Sequence, residues 1–315
     1  DHAVRVHEHL LSRGDLSTAD RQRAQHGLAL DFLKAGLLDR AEDALRKLEG
    51  SPFEGQARLA RLAIYERSRE WPEAARVAAL LEHSGEASFS VRQAHYLCEQ
   101  AREAYAKGDA SRALDILLKT VTQTPEAPRP RSLLGQLYLS QNQADKALDG
   151  LAPLFKQGDP AAPLAAATLV KAAQATRRTA EAQALLQAHY EKQPSIDVLE
   201  ALASLQSSGD HPQAHAPELY LNHLQTHASL IAASHWLASA TGETALPAPV
   251  QKALETAASR WLAGASSQEA VPPAVQKALD TAARPLARYR CAACGFEAKE
   301  HFWHCPGCQA WDSYP

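Results

Sequence analysis

The chain has 315 residues, of which 45% are hydrophobic and 22% are charged, enough apolar side chains for the cores of about two or three domains. Its 33 basic and 36 acidic residues give a net charge of −3, which argues against a nucleic-acid surface. No apolar run approaches the roughly 18 residues of a membrane-spanning helix. Alanine and leucine dominate the composition, which favours a helical protein.

The first residues resemble the second helix of a helical hairpin. Ala3, His7 and Leu10 stand where such a helix places its small residue and its inward bulky residues. The chain begins at Asp1 and contains no methionine. We therefore expect a fragment that opens halfway through a repeat, with any targeting or anchoring segment upstream.

A repeat of about 34 residues runs through the chain and has the pattern of tetratricopeptide (TPR) helix–turn–helix units. The clearest copy has Leu134-Gly135 and Tyr138 in the first helix, then Ala147 and Leu151 in the second. The small residue near the start of the second helix recurs at intervals of 33, 39, 34, 35 and 32 residues, at Ala41, Ala74, Ala113, Ala147, Ala182 and Ala214. Small side chains let the two helices cross closely, so we predict an all-α TPR superhelical solenoid with six repeats.

The repeat fades after residue 238. Connectors rich in proline, glycine, serine and alanine then flank two near-copies of one short helix, at 250–258 and 275–283. We predict a TPR array over 1–238, a linker with capping helices over 239–286, and a small metal module over 287–315.

Two C-x-x-C pairs lie within the last 25 residues, at Cys291 and Cys294 and at Cys305 and Cys308. Two intervening residues allow both thiolates of a pair to face one ion, and two such pairs make a tetrahedral S₄ site for zinc or iron. Gly295 is expected at a positive φ, and nearby aromatic residues are expected to cover the site. His301 and His304 are weaker candidate ligands because four thiolates already complete the shell.

The remaining features do not indicate catalysis. Cys98 lies in a helical stretch and is expected to be a buried small hydrophobe. The chain has no G-x-S-x-G motif, no phosphate-binding glycine loop and no plausible pair of catalytic carboxylates. We therefore expect a protein that is not an enzyme. Four cysteines in a metal pattern and one elsewhere favour a reducing compartment.

The order of these features resembles the lipopolysaccharide assembly protein B (LapB) family. The resemblance is specific in Arg288-Tyr289-Arg290-Cys291-Ala292-Ala293-Cys294-Gly295-Phe296 and in Trp303-His304-Cys305-Pro306-Gly307-Cys308-Gln309-Ala310-Trp311. It implies a rubredoxin-like, zinc-ribbon Cys₄ module in which the four cysteines hold one iron ion, with zinc as the alternative. It also implies an N-terminal membrane helix, absent here, that tethers the protein to the cytoplasmic side of the inner membrane. The implied function is a non-enzymatic adaptor that brings the deacetylase LpxC to the membrane protease FtsH.

Two alternatives remain open from the sequence. A rubredoxin-type electron carrier or redox sensor fused to a TPR array would use the same four cysteines. Nucleic-acid binding through a zinc ribbon is disfavoured by the near-neutral charge. The residues do not distinguish iron from zinc, because both ions accept a tetrahedral S₄ site.

Overall fold

Helices make up nearly all of the regular structure in the computed structural model of the chain. It describes residues 2–85, 88–206, 216–227, 229–239, 247–252 and 289–314. The chain divides into two compact units, Asp1–Pro130 and Arg131–Pro315. Within the described ranges, no helix is both long enough and apolar enough to cross a membrane.

The first unit consists of successive helices joined by short turns. They are α1 (His2–Ser12), α2 (Thr18–Lys34), α3 (Leu38–Arg46), α4 (Glu54–Ser68), α5 (Trp71–Ser84), α6 (Ser90–Ala106) and α7 (Ala110–Gln123). Consecutive helices pack together, from α1 against α2 through to α6 against α7. Helix α8 (Pro128–Ser140) begins at the end of this unit.

The second unit continues the helical pattern and ends in a small β element. Its helices are α9 (Ala144–Gln157), α10 (Ala166–Thr176), α11 (Thr179–Lys192), α12 (Ile196–Gln206), α13 (Ala216–Thr226) and α14 (Leu230–Ser239), with a 3₁₀ turn at Ala162–Ala165. Two short strands, β1 (Tyr289–Arg290) and β2 (Glu297–Ala298), pair in antiparallel fashion.

The predicted small residues lie at one position of the fold. Each of the five that the structure describes is the fourth residue of a second helix and is at most 1% exposed: Ala41 in α3, Ala74 in α5, Ala113 in α7, Ala147 in α9 and Ala182 in α11. The sixth, Ala214, lies outside the described residues. The predicted fold class is confirmed: paired helices of the TPR type, followed by a small four-cysteine module.

The turn inside each repeat has a second regularity that the sequence shows only in part. The residue five positions before each packing alanine has a left-handed backbone: Gly36, Arg69, Gly108, Asn142 and Arg177, with φ between 57° and 85°. This conformation ends the first helix and is the one that glycine adopts most easily. Two of the five positions are glycine, so a search for turn glycines alone misses the other three.

The two short helices predicted after the repeats lie mostly outside the described residues. Of the first short helix predicted at 250–258, the structure describes residues 250–252, which belong to a helical segment that starts at 248, and Val250 is buried against α12, α13 and α14. The second copy, at 275–283, lies outside the described residues. The predicted boundaries at 238 and 286 therefore stay predictions.

Gly135 in α8 gives a test of the close crossing, because a β-carbon there would lie 2.8 Å from Cγ of Leu151, which is fully buried in α9. We expect Gly135→Ala to lower the free energy of unfolding. Overpacking of a core costs about 1–3 kcal/mol, which exceeds the helix-propensity gain of about 1 kcal/mol.

Gly150 in α9 is the matched control, since nothing lies within 4 Å of a β-carbon built there. Gly150→Ala should therefore stabilise the protein by up to about 1 kcal/mol. Urea unfolding followed by circular dichroism measures both variants. A Gly135→Ala protein as stable as Gly150→Ala would contradict close packing at this crossing.

Candidate metal centre

The C-terminal module is built from two turns of the same design, 14 residues apart. Arg290 pairs with Glu297 across the strands, and His304 pairs with Trp311 in an isolated bridge at the corresponding positions. Each turn presents one C-x-x-C pair. The sequence repeats the cysteine spacing, and the structure shows that the backbone pairing repeats with it.

The same two hydrogen bonds close each turn. In the first turn the N–H of Cys291 donates to the carbonyl of Phe296 at 2.8 Å, and the N–H of Gly295 donates to the carbonyl of Cys291 at 2.8 Å. In the second turn Cys305 donates to Ala310 at 2.9 Å, and Gln309 donates to Cys305 at 2.8 Å. These bonds close each C-x-x-C pair into a tight turn.

The four thiols converge on a single point. All four sulfur atoms, of Cys291, Cys294, Cys305 and Cys308, lie within 4.8 Å of one another. The Sγ atoms of Cys291 and Cys308 are 3.7 Å apart, as are those of Cys294 and Cys305. Metal–sulfur bonds of about 2.3 Å give a regular S₄ tetrahedron an edge of about 3.8 Å. The sulfurs are too far apart for disulfides, whose bond is about 2.05 Å, and they fit a four-cysteine metal-binding site.

One thiol of each pair faces the interior of the module. Cys291 and Cys305 are at most 1% exposed, whereas Cys294 and Cys308 are exposed. Tyr314 is buried with the inner pair, and Tyr289 packs against them from β1. The inner side of the site is therefore shielded from solvent, and the outer side is not.

The expected aromatic cover is only partly present. Phe296 and Phe302 are 41% and 36% exposed, so these two rings do not enclose the site. The hydroxyl of Tyr289 donates to Asp197 of α12 at 3.3 Å, which ties the module to a helix of the same unit. The cover comes from the tyrosines rather than from the phenylalanines.

The histidines of the module contribute to its aromatic packing. His304 stacks on Trp311 with ring centroids 4.3 Å apart, and His301 packs edge-on against Trp303 at 4.8 Å. Among the described residues, the group able to hold a metal contains only the four cysteines. The fifth cysteine, Cys98, is buried in α6 as predicted, and burial raises the pKa of its thiol to about 12.

Hydrogen bonds stabilise negative charge on the inner sulfur of the first turn. The side chain of Ser313 lies 3.2 Å from Sγ of Cys291. This hydrogen bond, assisted by the amides of Cys294 and Ala293 and opposed by desolvation, lowers the pKa of the Cys291 thiol to about 6. A thiolate is the form that binds metal, so this hydrogen bond favours ligation by Cys291. No sequence pattern points to Ser313, since an isolated serine has no recognisable spacing.

The two turns differ at the residue that follows the second cysteine. Gly295 has a φ of 77°, as predicted, and its counterpart Gln309 has a φ of 61°. We expect Gln309→Gly to slow the release of metal to excess chelator, because it removes the strain of a left-handed side-chain-bearing residue, about 1–2 kcal/mol.

Gly295→Ala is the reverse control for this prediction, because it adds a side chain at the equivalent left-handed position of the first turn. A β-carbon there would have ordinary contacts, the nearest atom being a guanidinium nitrogen of Arg290 at 3.6 Å. The substitution should speed metal release through backbone strain alone. Equal release rates for the two variants would show that backbone conformation does not limit the stability of the module.

Comparisons with known proteins agree with this arrangement. Residues 289–314 match the rubredoxin metal-binding domain family. The chain is 27% identical to lipopolysaccharide assembly protein B of Escherichia coli strain K12, over 99% of this chain and 76% of that protein. It is 22% identical to the protein of the same name from Haemophilus influenzae, over 99% of this chain and 74% of that protein.

Solved structures of helical repeat proteins are also similar. PilF of Pseudomonas aeruginosa is 18% identical with a TM-score of 0.37, over 70% of this chain and 97% of that one. A tetratricopeptide repeat protein from Parabacteroides merdae is 15% identical with a TM-score of 0.37, over 84% of this chain and 98% of that one. The resemblance drawn from the sequence is confirmed by the full-length similarities and by the C-terminal domain match. The chain is thus similar over 99% of its length to lipopolysaccharide assembly protein B, and it combines TPR-type helix pairs with a C-terminal segment that matches a rubredoxin metal-binding domain.

Proposed function

We propose that this chain is a non-enzymatic adaptor in lipopolysaccharide synthesis. The observation that carries the proposal is its similarity, over 99% of its length, to a lipopolysaccharide assembly protein. The helix pairs support it, because stacked TPR repeats expose extended surfaces that bind other proteins. Two cavities among the described residues, of about 230 and 290 Å³, are small, and neither is lined by any of the four cysteines.

The proposed partners are the deacetylase LpxC and the membrane protease FtsH. The adaptor would hold LpxC on its repeats at the cytoplasmic side of the inner membrane and present it to the protease. This assignment comes from the family resemblance, and the adaptor would itself need no catalytic group.

We further propose that Cys291, Cys294, Cys305 and Cys308 ligate one iron ion, with zinc as the alternative. The bound ion would supply four metal–sulfur bonds that join the two turns. A module of this size buries too little apolar surface to fold by itself, so metal binding would supply much of its stability. The inner thiols would then be held in the core by the same packing that buries Tyr314.

Affinity purification from membranes tests the adaptor function. We expect the tagged protein, expressed in its own host with its natural N-terminus, to capture LpxC and FtsH. Cys308→Ser should abolish metal binding and this capture, while the repeats remain helical by circular dichroism. Cys98→Ala is the matched control, because it removes a buried cysteine outside the site and should leave both partners bound.

The outcomes separate the parts of the proposal. Failure of the parent protein to capture either partner in a sensitive assay would overturn the adaptor function. Full capture by a metal-free Cys308→Ser protein would show that the metal is dispensable for it. Metal analysis of protein isolated from its native host would decide between iron and zinc.

The exposure of Cys294 and Cys308 favours electron transfer as a second candidate function, because an exposed ligand shortens the path from a bound iron to a redox partner. A reversible reduction potential in the native iron-containing protein would support this candidate. A native zinc content with no redox response would exclude it.

A further inference from the structure

The hydroxyl groups of two consecutive residues lie against the two buried thiols of the metal site. The side-chain oxygen of Ser313 is 3.2 Å from Sγ of Cys291, and the hydroxyl of Tyr314 donates to Sγ of Cys305 at 3.6 Å. Ser313 and Tyr314 are 8% and 6% exposed. One short segment therefore reaches the inner sulfur of both C-x-x-C turns.

The direction of the serine hydrogen bond follows from the available groups. A ligating thiolate has no hydrogen to donate, so the hydroxyl must be the donor. Ser313 also lies 3.4 Å from the carbonyl oxygen of Ala310. That separation is long for an O–H···O bond, which is ordinarily about 2.5–3.0 Å. The geometry therefore favours donation to the sulfur.

The burial of the sulfurs makes these donors important. Cys294 and Cys308 are exposed, so water can solvate their charge, whereas Cys291 and Cys305 are shielded from water. Burying negative charge without a donor is costly. The two hydroxyls thus take the place of solvent at the inner half of the site.

We propose that Ser313 and Tyr314 are positioning residues of the metal centre, whose hydroxyls set the electron density on the inner thiolates. The proposal rests on the proposed ligation by the four cysteines. Four thiolates around iron carry a net charge of −1 with Fe(III) and −2 with Fe(II). Hydrogen-bond donors stabilise the more negative state, so both hydroxyls raise the reduction potential of bound iron.

Potentiometric titration with dithionite tests this role on the full chain reconstituted with iron, which serves as the probe whichever metal the cell supplies. We expect Ser313→Ala and Tyr314→Phe each to shift the Fe(III)/Fe(II) equilibrium toward Fe(III), by up to about tenfold, or about 59 mV for one electron. The thiolate-to-iron absorption bands should move to lower energy, because an unbonded thiolate gives up its electrons more easily.

Two further variants control for packing. Tyr289→Phe removes a hydroxyl of the same module that bonds to Asp197, and it should leave the potential unchanged. Ser313→Thr keeps the donor and should keep the parent potential. A parent protein that binds no metal would overturn the ligation itself, and this proposal with it. Bound iron with an unchanged potential in both Ser313→Ala and Tyr314→Phe would overturn the hydroxyl role alone, as would a Tyr289→Phe shift of equal size.

Discussion

The helices of each repeat can approach closely only where a small side chain separates them, and the other features of the array depend on that approach. Five buried alanines occupy the fourth position of their helices. Where α8 crosses α9, close approach also requires Gly135, because the side chain of Leu151 occupies the space that a β-carbon would take. Because packing rather than helix propensity supplies most helical stability, the stability of the array depends on these contacts.

The geometry of the turn follows from the same constraint. The left-handed residue five positions before each alanine ends the first helix and directs the chain into the second. The position accepts glycine, asparagine or arginine, because the tight turn requires a backbone conformation and not a particular side chain. A side-chain-bearing residue there is strained by about 1–2 kcal/mol, which the packing of the two helices offsets. The metal module also has a left-handed residue that is not glycine, Gln309.

The metal module depends on a different interaction, the convergence of four thiols in a segment too small to fold through its apolar core. Its two turns repeat at 14 residues in backbone pairing and in cysteine burial, with one inner and one outer thiol in each. The repetition is broken by the groups that contact the inner sulfurs: a serine hydroxyl at Cys291 and a tyrosine hydroxyl at Cys305. The two halves of the site therefore have the same backbone pairing but differ in the hydroxyl groups that bond to their inner sulfurs.

The sequence alone determined the repeat period, the packing alanines, the four clustered cysteines and the left-handed Gly295, because each depends on spacing or on a residue type with few structural roles. Only the tertiary structure revealed Arg69, Asn142, Arg177 and Gln309 as left-handed, since these residue types adopt many backbone conformations. It also showed that His301 and His304 pack against tryptophans, that Phe296 and Phe302 stay exposed, and that Ser313 and Tyr314 contact the sulfurs. Those contacts join residues whose proximity depends on how both turns fold around one point, and no local pattern in the chain encodes that proximity.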